Sequence, residues 1–429
     1  MHQVDFNLSL EEITKVEGHA RLDITVRGGK VTQTQFQILE YKRFYTQAIR
    51  GQAIMGVPQL LARICGTCSN AHLMASIEAV ERGLGMATSP QTMALRKLTV
   101  NGLMIRDHAL HLYLFVMPDL FNRDSLLQFD EKNPEEHEIL HDAFAVKSAG
   151  NHLSMLVAGR SVHAPYPTIG GFLHTPETKD IPIVVAELEK VRPVVVRLIG
   201  LFTKRRFVFE RKTHYVALVN NTYGYLEGQL HNSKGVIIPE QNLREHLERV
   251  VIPYSEASAY VFEGEMYRVG ALARMNLAKD KLHPTTKRDA GFALNFFPSD
   301  NVHDTNLAQA IEILQAIDES LDLLKTEFRP EPPQKPVYRE WVGIGVVEAP
   351  RGVLFHKLQL TADGRVREGE VIVPTGQNQI PIERDIAQLV EENIAMERGA
   401  LSREIEKLIR AYDPCMSCAA HFLEVNWVG

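Results

Sequence analysis

Arg63-Ile64-Cys65-Gly66-Thr67-Cys68-Ser69-Asn70-Ala71-His72 and Asp413-Pro414-Cys415-Met416-Ser417-Cys418-Ala419-Ala420-His421 together hold all four cysteines of the 429-residue chain. Each stretch contains one CxxC turn, and nearly the whole chain lies between them. In a chain of this size, paired CxxC motifs point to a metal in a reducing compartment rather than to disulfides. Each turn presents two thiolates, so two turns meeting in space offer a four-sulfur shell. On spacing alone that shell suits a structural zinc or an iron–sulfur cluster. The flanks argue for chemistry. Arg63 precedes the first pair, His72 follows Cys68 by four, Asp413 sits two before Cys415, and His421 follows Cys418 by three. Acid, base and guanidinium groups around soft thiolates are expected of a redox-active transition metal that handles protons.

Working outward from the second pair, Ile405, Leu408, Ile409 and Tyr412 recur at helical spacing and predict a helix stopped at Asp413-Pro414. Ser89-Pro90 reads as an N-cap and first helical residue, opening a long apolar-rich helix through Leu95, Leu98, Leu103, Ile105 and Leu112 toward Pro118. Strand alternation appears twice. Ala20 to Val26, then Gly28-Gly29, then the run from Val31 to Ile38 predicts one β-hairpin. Leu354, His356, Leu358 and Leu360, the turn Asp363-Gly364, and Val366, Val371 and Val373 predict another. The Pro-rich stretch from Phe328 to Val337 reads as an ordered surface connection or a linker. These signals predict a helix-rich α+β fold in which a central helical bundle carries the metal site and β-hairpins pack peripherally. With the two halves of the metal shell at opposite ends of the chain, one interlocked domain over residues 1–429 is expected.

Composition excludes several partners. A chain that is 45% hydrophobic and 23% charged is an ordinary globular one. Its 47 Lys+Arg against 53 Asp+Glu give −6, without the basic excess that nucleic acid demands. Apolar runs such as Ile181 to Ala186 fall far short of the ~20 residues of a membrane span, and Met1 to Leu10 carries no leader pattern. A cytoplasmic chain is expected, with any membrane attachment made through partners. There is no GxGxxG after a strand and no GxxxxGK[ST], hence no nucleotide cradle.

RxCGxC at Arg63 to Cys68 and DPCxxC at Asp413 to Cys418 resemble the hallmarks of the large, catalytic subunit of nickel–iron hydrogenases. The likeness extends to Val16-Glu17-Gly18-His19, Arg106-Asp107-His108-Ala109-Leu110-His111, Glu348-Ala349-Pro350-Arg351-Gly352 and Val373-Pro374-Thr375. The resemblance implies a Ni–Fe centre in which Cys65 and Cys415 bind nickel alone, and Cys68 and Cys418 bridge nickel to an iron carrying carbonyl and cyanide ligands. It implies reversible heterolytic cleavage of H2, with Cys415 accepting a proton, Arg351 fixed over the metals by Asp107 and Asp413, and Glu17 handing protons toward solvent. It further implies that His72 donates to a bridging sulfur, that Pro350 adjoins the cofactor, and that Thr375, read as part of the second hairpin, donates to a cyanide. His108 and His111 read as packing or proton-network residues.

Where the family carries a magnesium-binding glutamate, this chain has Thr46, a poor ligand for a hard cation. A magnesium site is therefore doubtful, with His421 retained as a possible metal-linked residue. Phe422 to Gly429, beyond the place where family precursors are often cut, is read as a permanent tail. No cysteine is left over for a cluster, so an Fe–S-bearing small subunit and further electron-transfer subunits are expected. The competing readings are an H2-sensing relative, a quinone-reducing relative without the Ni–Fe centre, and a structural zinc protein whose ion is held by the four cysteines.

Overall fold

The computed structural model describes residues 5–41 and 44–420. Four long helices form its centre: α2 (Pro90–Ala109), α3 (Pro134–Ala158), α4 (Ile181–Lys204) and α6 (Asp304–Leu323), with α1 (Ser69–Leu84) alongside and α5 (Ala271–Ala278) shorter. Ser89 caps α2 as expected, its hydroxyl accepting from Thr92 N–H at 3.1 Å, with Pro90 at the first helical position. Helices α2 and α3 meet through glycines. A Cβ at Gly150 would stand 2.7 Å from Arg106 N, and one at Gly102 would collide with Ser154 Oγ. That close approach brings residues 106–111 into the middle of the molecule. The helix expected to run on to Pro118 instead widens to π spacing over Leu110–Val116 before a last α turn at Met117–Leu120.

Both expected hairpins form, and each gains a strand. Strands β2 (Ala20–Arg27) and β3 (Lys30–Ile38) pair antiparallel around Gly28 and Gly29, and β1 (Phe6–Leu10) adds to β2. Likewise β5 (Gly352–Leu360) and β6 (Val366–Ile372) turn at Gly364, whose φ is +78°, while β4 (Trp341–Ala349) pairs with β5 from Trp341↔Leu360 to Ala349↔Gly352. Strand β4 lies directly on α1. Gly343 and Gly345 permit this, because a Cβ at Gly345 would collide with the Ala75 carbonyl oxygen.

One expectation is corrected here. Thr375 is not part of a hairpin: Val373 ends the extended chain, and Pro374 starts helix α7 (Pro374–Glu392), whose second residue is Thr375. The Pro-rich stretch is ordered, with Gln334 N–H donating to the Gly170 carbonyl at 3.0 Å. The last long helix, α8 (Arg398–Ala411), ends where the sequence predicts, and Asp413 turns the chain with φ +49°. No helix among the described residues is long and apolar enough to cross a membrane.

Candidate metal centre

The two cysteine turns meet. Cys65 is extended and Cys68 is the residue before α1, while Cys415 is extended and leads into the short helix Met416–Ala419. All four side chains are buried, and their sulfur atoms lie within 4.8 Å of one another. Cys65 Sγ is 3.4 Å from Cys415 Sγ, Cys68 Sγ is 3.0 Å from Cys418 Sγ, and Cys415 Sγ is 3.0 Å from Cys418 Sγ. Hydrogen bonds from Cys415, Cys418 and Cys68 hold the Cys65 thiol well below its usual range, whereas burial pushes Cys415 and Cys418 up. Four buried sulfur donors packed this closely fit soft transition-metal ions, which alone can ionise them together.

Backbone pairing locks the second turn in place. Met416 N–H donates to the Glu17 carbonyl at 3.0 Å, and Cys415 N–H donates to Thr375 Oγ1 at 2.9 Å. The Glu17 carboxylate turns back to the same turn, accepting from Ser417 N–H and from Cys415 Sγ, each at 3.1 Å. Burial and the nearby Cys65 charge raise this carboxyl above its ordinary range.

Arg351 is buried at the β4–β5 turn. Its Nη1 donates to Asp107 Oδ2 at 2.7 Å and its Nη2 to Asp413 Oδ1 at 2.9 Å. Although burial alone would lower it, the two carboxylates hold the guanidinium well above its usual range. The turn itself is clamped by Arg274 of α5, which donates to the carbonyls of Ala349 and Pro350, each at 3.0 Å. Arg274 also engages Glu312 through Nε at 2.6 Å and Nη2 at 2.7 Å, and Glu348 through Nη1 at 2.7 Å. Glu312 further accepts from Tyr223 OH, and its Oε2 lies 2.8 Å from His108 Nε2. Burial works against the Glu312 charge, but Arg274 and His108 outweigh it and hold the carboxyl at about 2.

His72 and His111 contact different parts of this assembly. His72 Nε2 is 3.7 Å from Cys418 Sγ, while its Nδ1 is 3.0 Å from His356 Nε2. Burial pushes His72 down to about 4, so the ring is neutral at pH 7. It has one proton to give: with Nε2–H toward the sulfur, Nδ1 accepts from His356. His111 lies 2.6 Å from Gln309 Oε1 and 2.8 Å from the Arg410 carbonyl, and Gln309 donates to Asp413 Oδ2 at 3.0 Å.

Cys65, Cys68, Cys415, Cys418, Glu17, His72, Asp107, Pro350, Arg351, Thr375 and Asp413 therefore converge on one buried volume. Arg63 does not. Its side chain is exposed, because Ala62 and Ile64 on either side of it take the buried positions of a tight 3₁₀ turn. The guanidinium beside the first cysteine turn belongs instead to Arg106, which is buried and donates to the Thr67 carbonyl at 2.7 Å. Sequence reasoning also passed over Arg274, Glu312 and His356. Glu312 had a signal, for it is the one charged residue in the largely apolar run Leu307 to Leu314, all of it buried in α6. Thr46 is buried in the short helix Tyr45–Ala48, and His421 with Phe422 to Gly429 lies outside the described residues.

Comparison with known proteins gives concordant matches. The nickel-dependent hydrogenase family profile matches residues 44–155 and 221–421. Sulfhydrogenase 2 subunit alpha of Pyrococcus furiosus is 30% identical over 423 residues, 97% of this chain and 100% of that one. Sulfhydrogenase 1 subunit alpha of the same organism is 29% identical over 425 residues, 97% and 98% of the two chains. In fold, the chain is similar to an NAD+-reducing [NiFe]-hydrogenase in the H2-reduced state, with a TM-score of 0.86, 23% identity, and coverage of 97% of this chain and 99% of that one.

Proposed function

The chain belongs to the nickel-dependent hydrogenase family, and from that premise we propose the work of each residue around its four-cysteine centre. The protein is a catalytic large subunit, an oxidoreductase acting on H2 with a Ni–Fe centre, and its relatives are alpha subunits of multisubunit hydrogenases. A bound Ni–Fe pair, its iron carrying carbonyl and cyanide, supplies the Lewis acidity and redox capacity for splitting H2 into a proton and a hydride equivalent. Cys65 and Cys415 would hold nickel, and Cys68 and Cys418 would serve both metals. Cys415 takes the proton and passes it to Glu17, whose burial-raised carboxyl suits a group that toggles. Arg351 keeps a fixed positive charge over the site, with Asp107 and Asp413 offsetting its burial cost. His72 donates to the Cys418 sulfur, Pro350 would adjoin the bound group, and the Thr375 hydroxyl would donate to a cyanide on its iron. Thr46 is a poor substitute for a carboxylate, so a water or hydrogen-bond network replaces magnesium there.

Electrons leave toward an Fe–S-bearing subunit. Leu39, Tyr41, Phe44, Met55 and Leu60 are exposed apolar residues on the chain just before the first cysteine turn, Tyr41 at 89% exposure. Tyr45 ties that segment to the turn by donating to the Arg63 carbonyl at 2.6 Å. Exposed apolar side chains on the segment that Tyr45 ties to the cysteine turn support partner docking there. We read residues 1–429 as one interlocked domain, because the shell joins distant parts of the chain, and as acting in the cytoplasm, a reducing compartment in which metal-binding thiols persist.

The observation that carries this reading is the convergence of four buried thiols with Arg351 and Glu17. It is tested by infrared spectroscopy and metal analysis of the purified protein. Metal-bound carbonyl and cyanide bands with one nickel and one iron per chain support it; one zinc per chain without nickel overturns it. H2 oxidation with an artificial electron acceptor then separates an enzyme from a sensor.

A further inference from the structure

Away from the cysteine centre, helix α3 carries a second set of metal-binding groups. Asn133 caps its first turn, accepting from Glu135 N–H at 3.0 Å and from Glu136 N–H at 3.3 Å. Ile139, Ala143 and Val146 are buried against the bundle, which fixes the rotation of the helix. The opposite face then presents His137 and His141, one turn apart and both exposed, within the run His137-Glu138-Ile139-Leu140-His141. Their ring centroids are 4.4 Å apart. Two histidines at i and i+4 on a helix are spaced to grip one ion between them.

The surroundings sharpen the reading. Four other surface histidines are each held by a carboxylate: His152 by Glu187 at 2.6 Å, His214 by Glu265 at 2.7 Å, His283 by Asp322 at 2.9 Å and His246 by Glu263 at 3.0 Å. His137 and His141 face each other instead, although acidic residues flank both. Arg197 of α4 has taken those carboxylates, reaching Glu138 and Asp142 at 3.0 Å each. The two imidazoles are thereby left side by side, with the neighbouring acids turned to the next helix.

We propose that His137 and His141 form a surface chelate for a borderline divalent ion, Zn2+ or Ni2+, separate from the cysteine centre. Imidazole nitrogen suits these ions and not Mg2+ or Ca2+, which take oxygen. Among the described residues the cysteines form the only group of three or more candidate ligands. The histidine site therefore offers two protein ligands, and water completes the shell. The run also has the His-Glu-x-x-His spacing of zinc-dependent hydrolases, but hydrolysis does not fit here, because a catalytic zinc takes three protein ligands and a free carboxylate base, while Glu138 is engaged by Arg197.

The test is calorimetric titration of the metal-loaded, assembled hydrogenase with Zn2+ and separately with Ni2+, after removal of loosely bound ions. Wild type is expected to take up one ion per chain beyond the Ni–Fe pair. His137→Ala and His141→Ala should each weaken that binding at least tenfold, and the double variant should abolish it. H2 oxidation and the infrared bands of the centre should be unchanged in all three, since both side chains are exposed and distant in sequence from the centre. Wild-type and double-variant titrations that coincide, or no uptake by wild type, overturn the proposal. Because the readout is binding at the helix, failure here leaves the reading of the cysteine centre untouched.

Discussion

Glu17 Oε2 lies 3.1 Å from Cys415 Sγ, although 398 positions separate the two residues. The contact is part-buried, and burial together with the nearby Cys65 charge raises the carboxyl. Glu17→Gln fills the same space but cannot carry a proton. It is expected to leave the nickel and iron content intact and to slow H2 oxidation by about 10²–10⁴-fold, the range for losing a general acid or base. Turnover within twofold of wild type rejects the relay.

Arg351 bridges Asp107 and Asp413 with two separate nitrogens. A lysine carries the charge as a single point and cannot span both. Arg351→Lys should therefore keep the metals and reduce H2 oxidation by about 10²–10³-fold. Asp107→Asn, which strips the guanidinium of one partner, should cost about 3–5 kcal/mol of stability, read by denaturant unfolding.

Arg274 compensates two buried carboxylates while holding the carbonyls that precede Arg351. Arg274→Met takes the guanidinium away from Glu312, which keeps Tyr223 and His108, and from Glu348, which keeps the Leu218 N–H, at a cost of about 3–5 kcal/mol. Adding Glu312→Gln and Glu348→Gln should restore part of the loss. A triple variant less stable than the single one excludes this account.

Burial pushes the Glu383 carboxyl from its ordinary 4.5 up to about 7, against hydrogen bonds from Phe36 N–H and Tyr254 OH. A raised carboxyl binds its proton more tightly in the folded state, so its contribution is full below pH 4.5. It is lost as pH rises to 7 and stays lost above. Glu383→Gln removes that loss. Compared with wild type, the variant should gain on the order of 2 kcal/mol between pH 4.5 and 8, measured as the difference of two unfolding series.

Gly345 sits where strand β4 touches α1, the helix that begins at the first cysteine turn. An added methyl group has only backbone to push against. Gly345→Ala should cost about 3 kcal/mol or more and lower the nickel occupancy, whereas Gly29→Ala, with open space around its Cβ position but φ +75°, should cost about 1 kcal/mol and leave the metals in place.

Local signals made much of this legible. Period-two alternation broken by Asp363-Gly364 gives the β5–β6 hairpin, and Asp413-Pro414 stops α8 at the place predicted. Strand β4 was not legible. Its second half is buried on both faces, so the alternation is hidden, and the glycines that argue against a strand are required by a helix distant in sequence. The site divides the same way. The cysteines and their flanking motifs are written side by side, but whether Arg63 or Arg106 faces the sulfurs depends on which neighbours claim the core. Arg274 and Glu312 were missed because an isolated charge in a helix reads as solvated until its partner, from another helix, is seen.

The sulfurs of Cys65 and Cys415 are 3.4 Å apart across 350 positions of chain. Metal ions gripping both are a crosslink as well as a catalyst. Tying a loop of that length removes roughly 6 kcal/mol of freedom from the unfolded chain. Loading the centre should thus weld the first and last parts of the molecule together, so that resistance to heat and proteolysis reports on occupancy before any gas is consumed.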